Sequence, residues 1–253
     1  MCVAAFAWHA HPHWPLVVIG NRDEFHDRPA APLAAWSDGS GILAGRDLQS
    51  GGTWLGIGRP GSSNFGQMAL VTNLRGYGLP DPVRISRGDL VARLLRGEPD
   101  PGDLQAYNPF NLIHANAKGA RFLTNRPQDR RTPLANGIYG LSNGALDEPW
   151  AKTVQLKAAL AGWLEAGDPS TAALFDALAG EDLKQPGSSP RAPSDIPAEA
   201  AETPVFIRNP LYGTRCSTVI VVTLDGRGTI AERRFDRDGL ATGETVLGFE
   251  WEM

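Results

Sequence analysis

The chain consists mainly of apolar segments of strand length, separated by turns rich in glycine and proline. Lys118-Gly119 lies between two such segments and indicates a β-hairpin. The strands are expected at 2–8 and 15–20, near 42–45, 53–58 and 67–72, near 110–116 and 120–124, and at 219–223, 228–235 and 245–251. Because each strand needs a sheet partner, the fold must be organised around β-sheet.

Three segments place apolar residues at helical spacing and are expected to cover a sheet face. Ser86 and Asp89 form a helix-start signature, and the segment that follows is amphipathic as far as Leu95. A second helix is predicted from Trp150 to Glu165, with Asp147 as its cap, and a third over 170–179. Gly51-Gly52 predicts a tight turn or a close backbone approach.

Residues 185–204 are rich in proline, serine and alanine and predict a long surface loop. Such a segment could also link two domains. The roughly fifty residues that follow it are mostly predicted strands, and these need partners earlier in the chain. We therefore expect a single domain over residues 1–253 that includes this loop.

Composition excludes several classes of protein. The net charge is −4 and no basic run occurs, so nucleic acid is not an expected partner. Two cysteines provide no disulfide framework and fit a reducing cytoplasm. The N-terminus lacks the pattern of a signal peptide, and no apolar stretch reaches the ~18 residues of a membrane span. A cytoplasmic location is predicted.

Cys2 directly follows the initiator methionine. Removal of Met1 would give one residue both a thiol and a free α-amine, and such a residue can act as nucleophile and base together. The two groups titrate close to neutral pH, near ~8.5 and ~8. The alternative is that Cys2 merely begins a buried strand.

Four polar residues, Asn21-Arg22-Asp23-Glu24, end the apolar run 15–20. Burying them is costly unless they pair or serve a site. Strand alternation places Arg22 and Glu24 on one face and Asn21 and Asp23 on the other. A structural ion-pair cluster is the alternative explanation.

Three histidines, His9, His11 and His13, alternate in the connector between the first two predicted strands. Side chains that alternate on an extended segment face one side, which suits a metal or haem. The neighbouring prolines favour a solvent-exposed hairpin loop instead. No metal site is predicted.

A longer series of motifs recurs along the chain. In chain order they are Met1-Cys2, Asn21-Arg22-Asp23-Glu24-Phe25, Arg28-Pro29, Gly51-Gly52-Thr53-Trp54-Leu55-Gly56, Thr72-Asn73, Phe110-Asn111-Leu112, Tyr139-Gly140-Leu141-Ser142-Asn143, Pro149-Trp150 and Tyr212-Gly213-Thr214-Arg215. The ordered set resembles the NRDE family, also called the transport and Golgi organization 2 family, from residue 1 to about residue 250. The resemblance implies an α+β fold: a four-layer αββα sandwich of the N-terminal-nucleophile hydrolase type, with two stacked antiparallel sheets flanked by helices.

The same constellation is similar to that of cysteine-type N-terminal-nucleophile hydrolases. The resemblance implies that Arg22 favours the thiolate of Cys2. It also implies that Asn73 stabilises an oxyanion and that Asn143 holds the α-amine or the substrate amide. Arg215 would orient the nucleophile region or bind a substrate carboxylate.

One departure leaves the acid of this site open. The hydrolase pattern places two residues between the arginine and the aspartate, whereas Arg22 and Asp23 are adjacent here. Pleat geometry makes Glu24 the better same-face partner of Arg22. Trp54 and Asn21 are expected to contact substrate, and Cys216 is predicted to be a buried structural thiol.

Two functions follow from these observations. The first is an amidohydrolase that acts on linear amide C–N bonds through Cys2 and needs no cofactor. The second, implied by the family resemblance, is a non-enzymatic protein that binds and moves haem or acyl-CoA and other lipids. The expected partners are therefore a small-molecule amide, haem or acyl-CoA. A haem would need a histidine or thiolate as axial ligand.

Overall fold

A computed structural model describes residues 2–58, 66–182 and 203–252. Six of its strands form the first antiparallel sheet. These strands are β1 (Val3–Trp8), β2 (Leu16–Phe25), β10 (Gly137–Leu141), β11 (Tyr212–Val222), β12 (Arg227–Phe235) and β13 (Ala241–Glu250). Their order in the sheet is β10-β1-β2-β11-β12-β13.

The second antiparallel sheet has seven strands and follows chain order from β3 to β9. Each neighbour in sequence is thus a neighbour in space. These strands are β3 (Ala30–Ala35), β4 (Ile42–Asp47), β5 (Leu55–Gly58), β6 (Gln67–Asn73), β7 (Phe110–Asn116), β8 (Gly119–Thr124) and β9 (Arg130–Leu134).

Three α-helices and a short 3₁₀ turn at Leu104–Ala106 accompany the sheets in the described ranges. The helices are α1 (Arg87–Leu95), α2 (Ala151–Ala166) and α3 (Ala172–Leu178). α2 and α3 pack on the first sheet, whereas α1 packs on β4, β5 and β6 of the second. The longest of these helices has 16 residues, and none of the described helices combines the length and apolar character needed to cross a bilayer.

Strand alternation divides the apolar side chains into three buried layers. In β1, Ala4, Phe6 and Trp8 face the second sheet, whereas Val3, Ala5 and Ala7 face α2 and α3. A third apolar layer lies between α1 and the second sheet. The chain thus has a mixed α+β fold with two stacked antiparallel sheets and helices on their outer faces.

Most predicted elements are present, and the hairpin at Lys118-Gly119 is confirmed by the pairing of β7 with β8. The predicted strand 219–223 is too short, because β11 already begins at Tyr212. The predicted cap of α2 is wrong. Asp147 accepts hydrogen bonds from Gly140 N and Lys157 Nζ instead, and Trp150 occupies the N-cap. The predicted loop 185–204 lies outside the described residues, apart from 203–204.

Candidate functional site

A cavity of about 560 Å³ opens between the two sheets. It lies where β1 and β11 begin and where β2, β4 and β6 end. Neighbouring antiparallel strands run in opposite directions, so the start of one lies beside the end of the next. Residues near positions 2, 22, 47, 73 and 215 are therefore brought to one edge of the sandwich. We call this cavity the cleft.

Cys2 lies half-buried in the cleft, one residue before β1 begins. The pairing of Val3 with Asn21 places Cys2 beside Arg22, and Cys216 of β11 pairs with Arg22 from the other side. Ser142 Oγ donates to the Cys2 carbonyl oxygen at 2.8 Å. The start of the chain is thereby fixed against both β2 and the end of β10.

The Cys2 thiol needs a base before it can attack. Burial raises its pKa, and the nearby Asp23 carboxylate raises it further. The Arg22 guanidinium and a hydrogen bond from the Asp23 backbone N–H lower the pKa of Cys2, but they do not offset burial. The thiol form therefore predominates in the resting protein.

Arg22 pairs with an acid that the sequence analysis did not identify. Its Nη2 lies 2.9 Å from Asp47 Oδ2 and 3.7 Å from Glu24 Oε2. The same Asp47 oxygen accepts a hydrogen bond from Arg28 Nε at 2.6 Å. Burial opposes ionisation of Asp47, yet the bonds from Arg28 and the Ser50 backbone hold its pKa below the usual value. Glu24 shares the face of Arg22, as alternation predicts.

Asp23 points to the opposite face of β2, toward α2. The residue is 3% exposed, and its carboxylate accepts a hydrogen bond from Thr214 Oγ1 at 2.7 Å. Burial raises the pKa of Asp23, while Lys152, Thr214 and Arg22 act in the other direction. Arg22 and Asp23 therefore hold opposite sides of the strand that passes Cys2.

Lys152 is a functional candidate that the sequence analysis missed. It is the second residue of α2 and is fully buried, and Nζ has no hydrogen-bond partner among the described residues. Burial lowers the pKa of Lys152, whereas the charges of Asp23 and Cys2 raise it. A signal was present, because Lys152 precedes the buried Leu156 and Leu160 at intervals of four residues.

The two predicted asparagines are brought together, but only one reaches the cleft. Asn73 is exposed at the end of β6, lines the cleft and makes no side-chain hydrogen bond in the described chain. Asn143 is buried and donates from Nδ2 to the Asn73 backbone oxygen at 2.8 Å. Asn143 therefore holds the backbone of Asn73 in place, and its own side-chain amide does not line the cleft.

The remaining predicted residues divide in the same way. Trp54 lines the cleft, and Gly20 leaves room for it, since a Cβ at Gly20 would lie 3.1 Å from the indole. Asn21 does not reach the cleft. Its amide donates to Leu178 O and Val205 O, both at 2.8 Å. Arg215 lines the cleft, but its Nη1 donates to two backbone carbonyl groups, those of Phe25 and Arg28.

Cys216 is buried in the described structure, as predicted, although it also borders the cleft. Burial and the neighbouring Glu232 carboxylate raise the pKa of Cys216 well above its ordinary value. Burial also raises the pKa of Glu232, which accepts a hydrogen bond from the Leu33 backbone N–H at 2.8 Å. The two thiols of the cleft thus have different surroundings.

Arg87, the first residue of α1, was also missed. Its Nη1 donates to Pro109 O at 3.1 Å, and its side chain lines the cleft. Gly51 has a φ of +79°, and a Cβ at Gly52 would lie 2.2 Å from the Gly88 carbonyl carbon. The glycine pair is therefore both a turn and a close approach, as predicted, and it lets the start of α1 reach the cleft.

A second cavity of about 710 Å³ is lined by segments 74–77 and 144–148 and by β8 and β9. Leu74, Phe122 and Leu146 form its apolar wall, and Arg75 and Arg130 are among its charged residues. None of the described residues that line it is a histidine or a cysteine.

The alternating histidines lie in an exposed connector, as the loop interpretation predicts. His11 Nδ1 accepts a hydrogen bond from the His13 backbone N–H at 3.2 Å. Within residues 2–58, 66–182 and 203–252, no three histidine, cysteine, aspartate or glutamate side chains are arranged to hold a metal ion.

Comparison with known proteins gives a consistent result. The model of the family described as Transport and Golgi organisation 2 matches residues 1–237. A Bos taurus protein named Transport and Golgi organization protein 2 homolog is 33% identical over an alignment 261 positions long, which covers 92% of each chain. A Homo sapiens protein with the same name is 32% identical over an alignment 275 positions long, which covers 97% of each chain. A Drosophila melanogaster protein named Transport and Golgi organization protein 2 is 28% identical over 181 residues, 60% of this chain and 61% of the relative.

Proposed function

The chain belongs to the Transport and Golgi organisation 2 family, and we propose that it is a cysteine-type N-terminal-nucleophile amidohydrolase acting on linear amide C–N bonds. The observation that carries the proposal is the position of Cys2. It lies half-buried in the cleft, beside Arg22 and in the same cavity as the amide of Asn73. The two stacked sheets between helices support an N-terminal-nucleophile hydrolase type of fold.

Removal of Met1 creates the base that the buried thiol needs. The Cys2 α-amine accepts the thiol proton as Sγ forms a bond to the amide carbon. Asn73 donates its side-chain N–H to the resulting oxyanion, and Asn143 holds Asn73 in place. The α-ammonium then gives its proton to the leaving nitrogen. The C–N bond breaks and a thioester forms on Cys2.

Hydrolysis of the thioester reverses these roles. The α-amine takes a proton from water, the hydroxide oxygen attacks the thioester carbon, and the carboxylic acid leaves as the thiol is restored. Asp23 is the buried carboxylate that stabilises the α-ammonium, and Lys152 balances its charge when the amine is neutral. Arg22 supports the developing thiolate and is itself oriented by Asp47.

The test begins with the intact mass of protein purified without an N-terminal tag. The expected mass lacks one methionine, and this protein should hydrolyse members of an amide panel. Cys2→Ala should abolish turnover while circular dichroism and the melting temperature remain unchanged. Cys2→Ser keeps the α-amine and serves as the matched control for nucleophile strength. Retention of Met1 in an active preparation, or turnover by Cys2→Ala, would refute the mechanism.

The second candidate is non-enzymatic binding of an acyl-CoA, another lipid or haem. It is favoured by the second cavity, whose apolar wall and arginines suit an acyl chain with an anionic head. Haem fits this cavity less well, because its described lining offers neither histidine nor thiolate as an axial ligand.

A direct titration distinguishes acyl-CoA from haem as the ligand of the second candidate. Binding of palmitoyl-CoA should weaken in Leu146→Asp, and no saturable Soret shift is expected with hemin. Cys2→Ala should bind normally, since this candidate does not need the thiol. A saturable Soret shift that depends on Cys2 would instead place haem in the cleft.

A further inference from the structure

The cleft is lined by more positive than negative side chains, in a chain whose net charge is −4. Among the described residues that line it, seven arginines face five carboxyl groups, and none is a lysine. The carboxyl groups include Asp23 and Glu232, which burial makes harder to ionise. A cavity lined by one sign of charge concentrates ligands of the opposite sign. The cleft therefore favours an anionic ligand.

Most of these arginines are already paired. Five of the seven have a carboxylate within 4 Å, with N–O separations from 2.6 to 3.9 Å; they are Arg22, Arg28, Arg46, Arg84 and Arg234. In the described chain, Arg87 and Arg215 have none. Arg215 places its Nη1 on two carbonyl oxygens, and its strongest charge interaction is with Arg22.

Among the described arginines of the cleft, Arg87 is the one that remains available to a ligand in the cavity that holds Cys2. Its single hydrogen bond, from Nη1 to Pro109 O, leaves Nε and Nη2 without a partner in the described residues. Its strongest interaction with another ionisable group is with Cys2. A guanidinium presents its donors in a planar fork that matches a carboxylate.

We propose that Arg87 binds a carboxylate of the substrate, so that the amides cleaved at Cys2 are anionic amides of the N-acyl amino acid type. This inference rests on the proposed hydrolase function and names its substrate class. Arg87 begins α1, which packs on the second sheet, whereas Cys2 directly precedes β1 of the first sheet. A substrate that reaches both residues therefore lies in the cleft between the two sheets. The carboxylate is then anchored independently of the reacting amide.

The test uses two thiol reagents of nearly equal size that differ in charge. In both iodoacetate and iodoacetamide, the Cys2 sulfur bonds to the methylene carbon and iodide leaves. The ratio of the two rates reports the local charge and cancels any change in the amount of thiolate. Peptide mass spectrometry assigns the label to Cys2 or Cys216, and glutathione gives the reference ratio for a free thiol.

In the unmodified protein, the iodoacetate-to-iodoacetamide ratio at Cys2 should exceed the glutathione ratio by about fivefold or more. Arg87→Gln should bring it to within about twofold of glutathione. Arg84→Gln is the matched control, because it removes the same charge from an arginine that is 3.6 Å from Asp81. Equal ratios in the Arg87 and Arg84 variants would overturn the proposal.

A second measurement needs no variant. N-acetylglycine should slow the labelling of Cys2 by iodoacetamide several-fold more than N-acetylglycinamide does at the same concentration. Equal protection would overturn the assignment. Neither experiment requires turnover. If the charge preference is present but no amide is cleaved, the hydrolase proposal fails and the anion site stands. If amides are cleaved without preference for a carboxylate, the anion site fails alone.

Discussion

His114 provides a prediction whose magnitude follows from its hydrogen bonds. It is 4% exposed in β7, and its Nε2 lies 2.7 Å from Gln67 Oε1, which can only accept. Its Nδ1 must therefore be the unprotonated nitrogen, and it accepts a bond from Arg121 Nε at 3.1 Å. Asp100 holds Arg121 through two bonds of 2.5 and 2.7 Å. Protonation of Nδ1 would place N–H against N–H.

Burial, and then the Arg121 charge, lower the pKa of His114 from 6.5 to about 3. The unfolded chain therefore binds a proton between these values, whereas the folded chain does not. Stability from this residue is fully present above pH 6.5 and is lost as the pH falls below it. Each pH unit costs about 1.4 kcal/mol, so the loss at pH 5 is about 2 kcal/mol.

Urea unfolding at pH 7, 6 and 5 measures this loss. In the variant His114→Asn, the free energy of unfolding should decline less steeply as the pH falls. Its free energy of unfolding should fall by about 2 kcal/mol less than that of the unmodified chain between pH 7 and 5. Ile113→Val is the matched control, since it weakens the same strand without changing a titrating group. Parallel declines in His114→Asn and the unmodified chain would refute the reasoning.

Three further predictions concern Lys152, the asparagine pair and two glycines. Lys152→Met should lower the free energy of unfolding in urea by about 3 kcal/mol, and adding Asp23→Asn should recover most of this. No recovery would contradict the charge interaction between the two residues. If the hydrolase proposal holds, Asn143→Ala should lower kcat about tenfold with little change in KM, and a change in KM alone would contradict its positioning role. Gly58→Ala should lower the free energy of unfolding by about 2 kcal/mol or more, because its Cβ would lie 1.9 Å from Leu95 O. Gly162 is exposed in α2, and Gly162→Ala should instead raise the free energy of unfolding by about 0.5–1 kcal/mol. Thermal unfolding measures both variants.

The sequence predicted most strands whose apolar residues fill a layer, and it also predicted the edge strand β13. It missed three other edge strands, β3, β9 and β10. β9 contains Arg130, Arg131 and Pro133 and is an exposed edge strand, so no apolar pattern marks it. β10 carries two glycines and is a strand because β1 pairs with it. β11 was predicted from its apolar end alone, since its first half is occupied by residues that border the cleft.

The candidate site was predicted as far as local pattern extends. The alternation in β2 correctly separated Arg22 from Asp23, and the family motifs identified Cys2 and Asn73 as neighbours of one cleft. Asp47 could not be found in this way, because it comes from the other sheet and its pairing with Arg22 depends on how the sheets stack.

The placement of Lys152 supports a functional interpretation of the buried charges. An ammonium near the start of a helix is opposed by the helix dipole as well as by desolvation. Asp23 offsets part of this cost, but an apolar pair of similar volume would stabilise a core at least as well. If the hydrolase proposal holds, the two charges have a function, because they balance the charge that appears and disappears at the Cys2 α-amine. If the Asp23→Asn, Lys152→Met double variant keeps the stability of the unmodified chain but Cys2 no longer reacts with iodoacetamide, the two charges serve the Cys2 nucleophile. If both the stability and the reaction are kept, the two charges are structural.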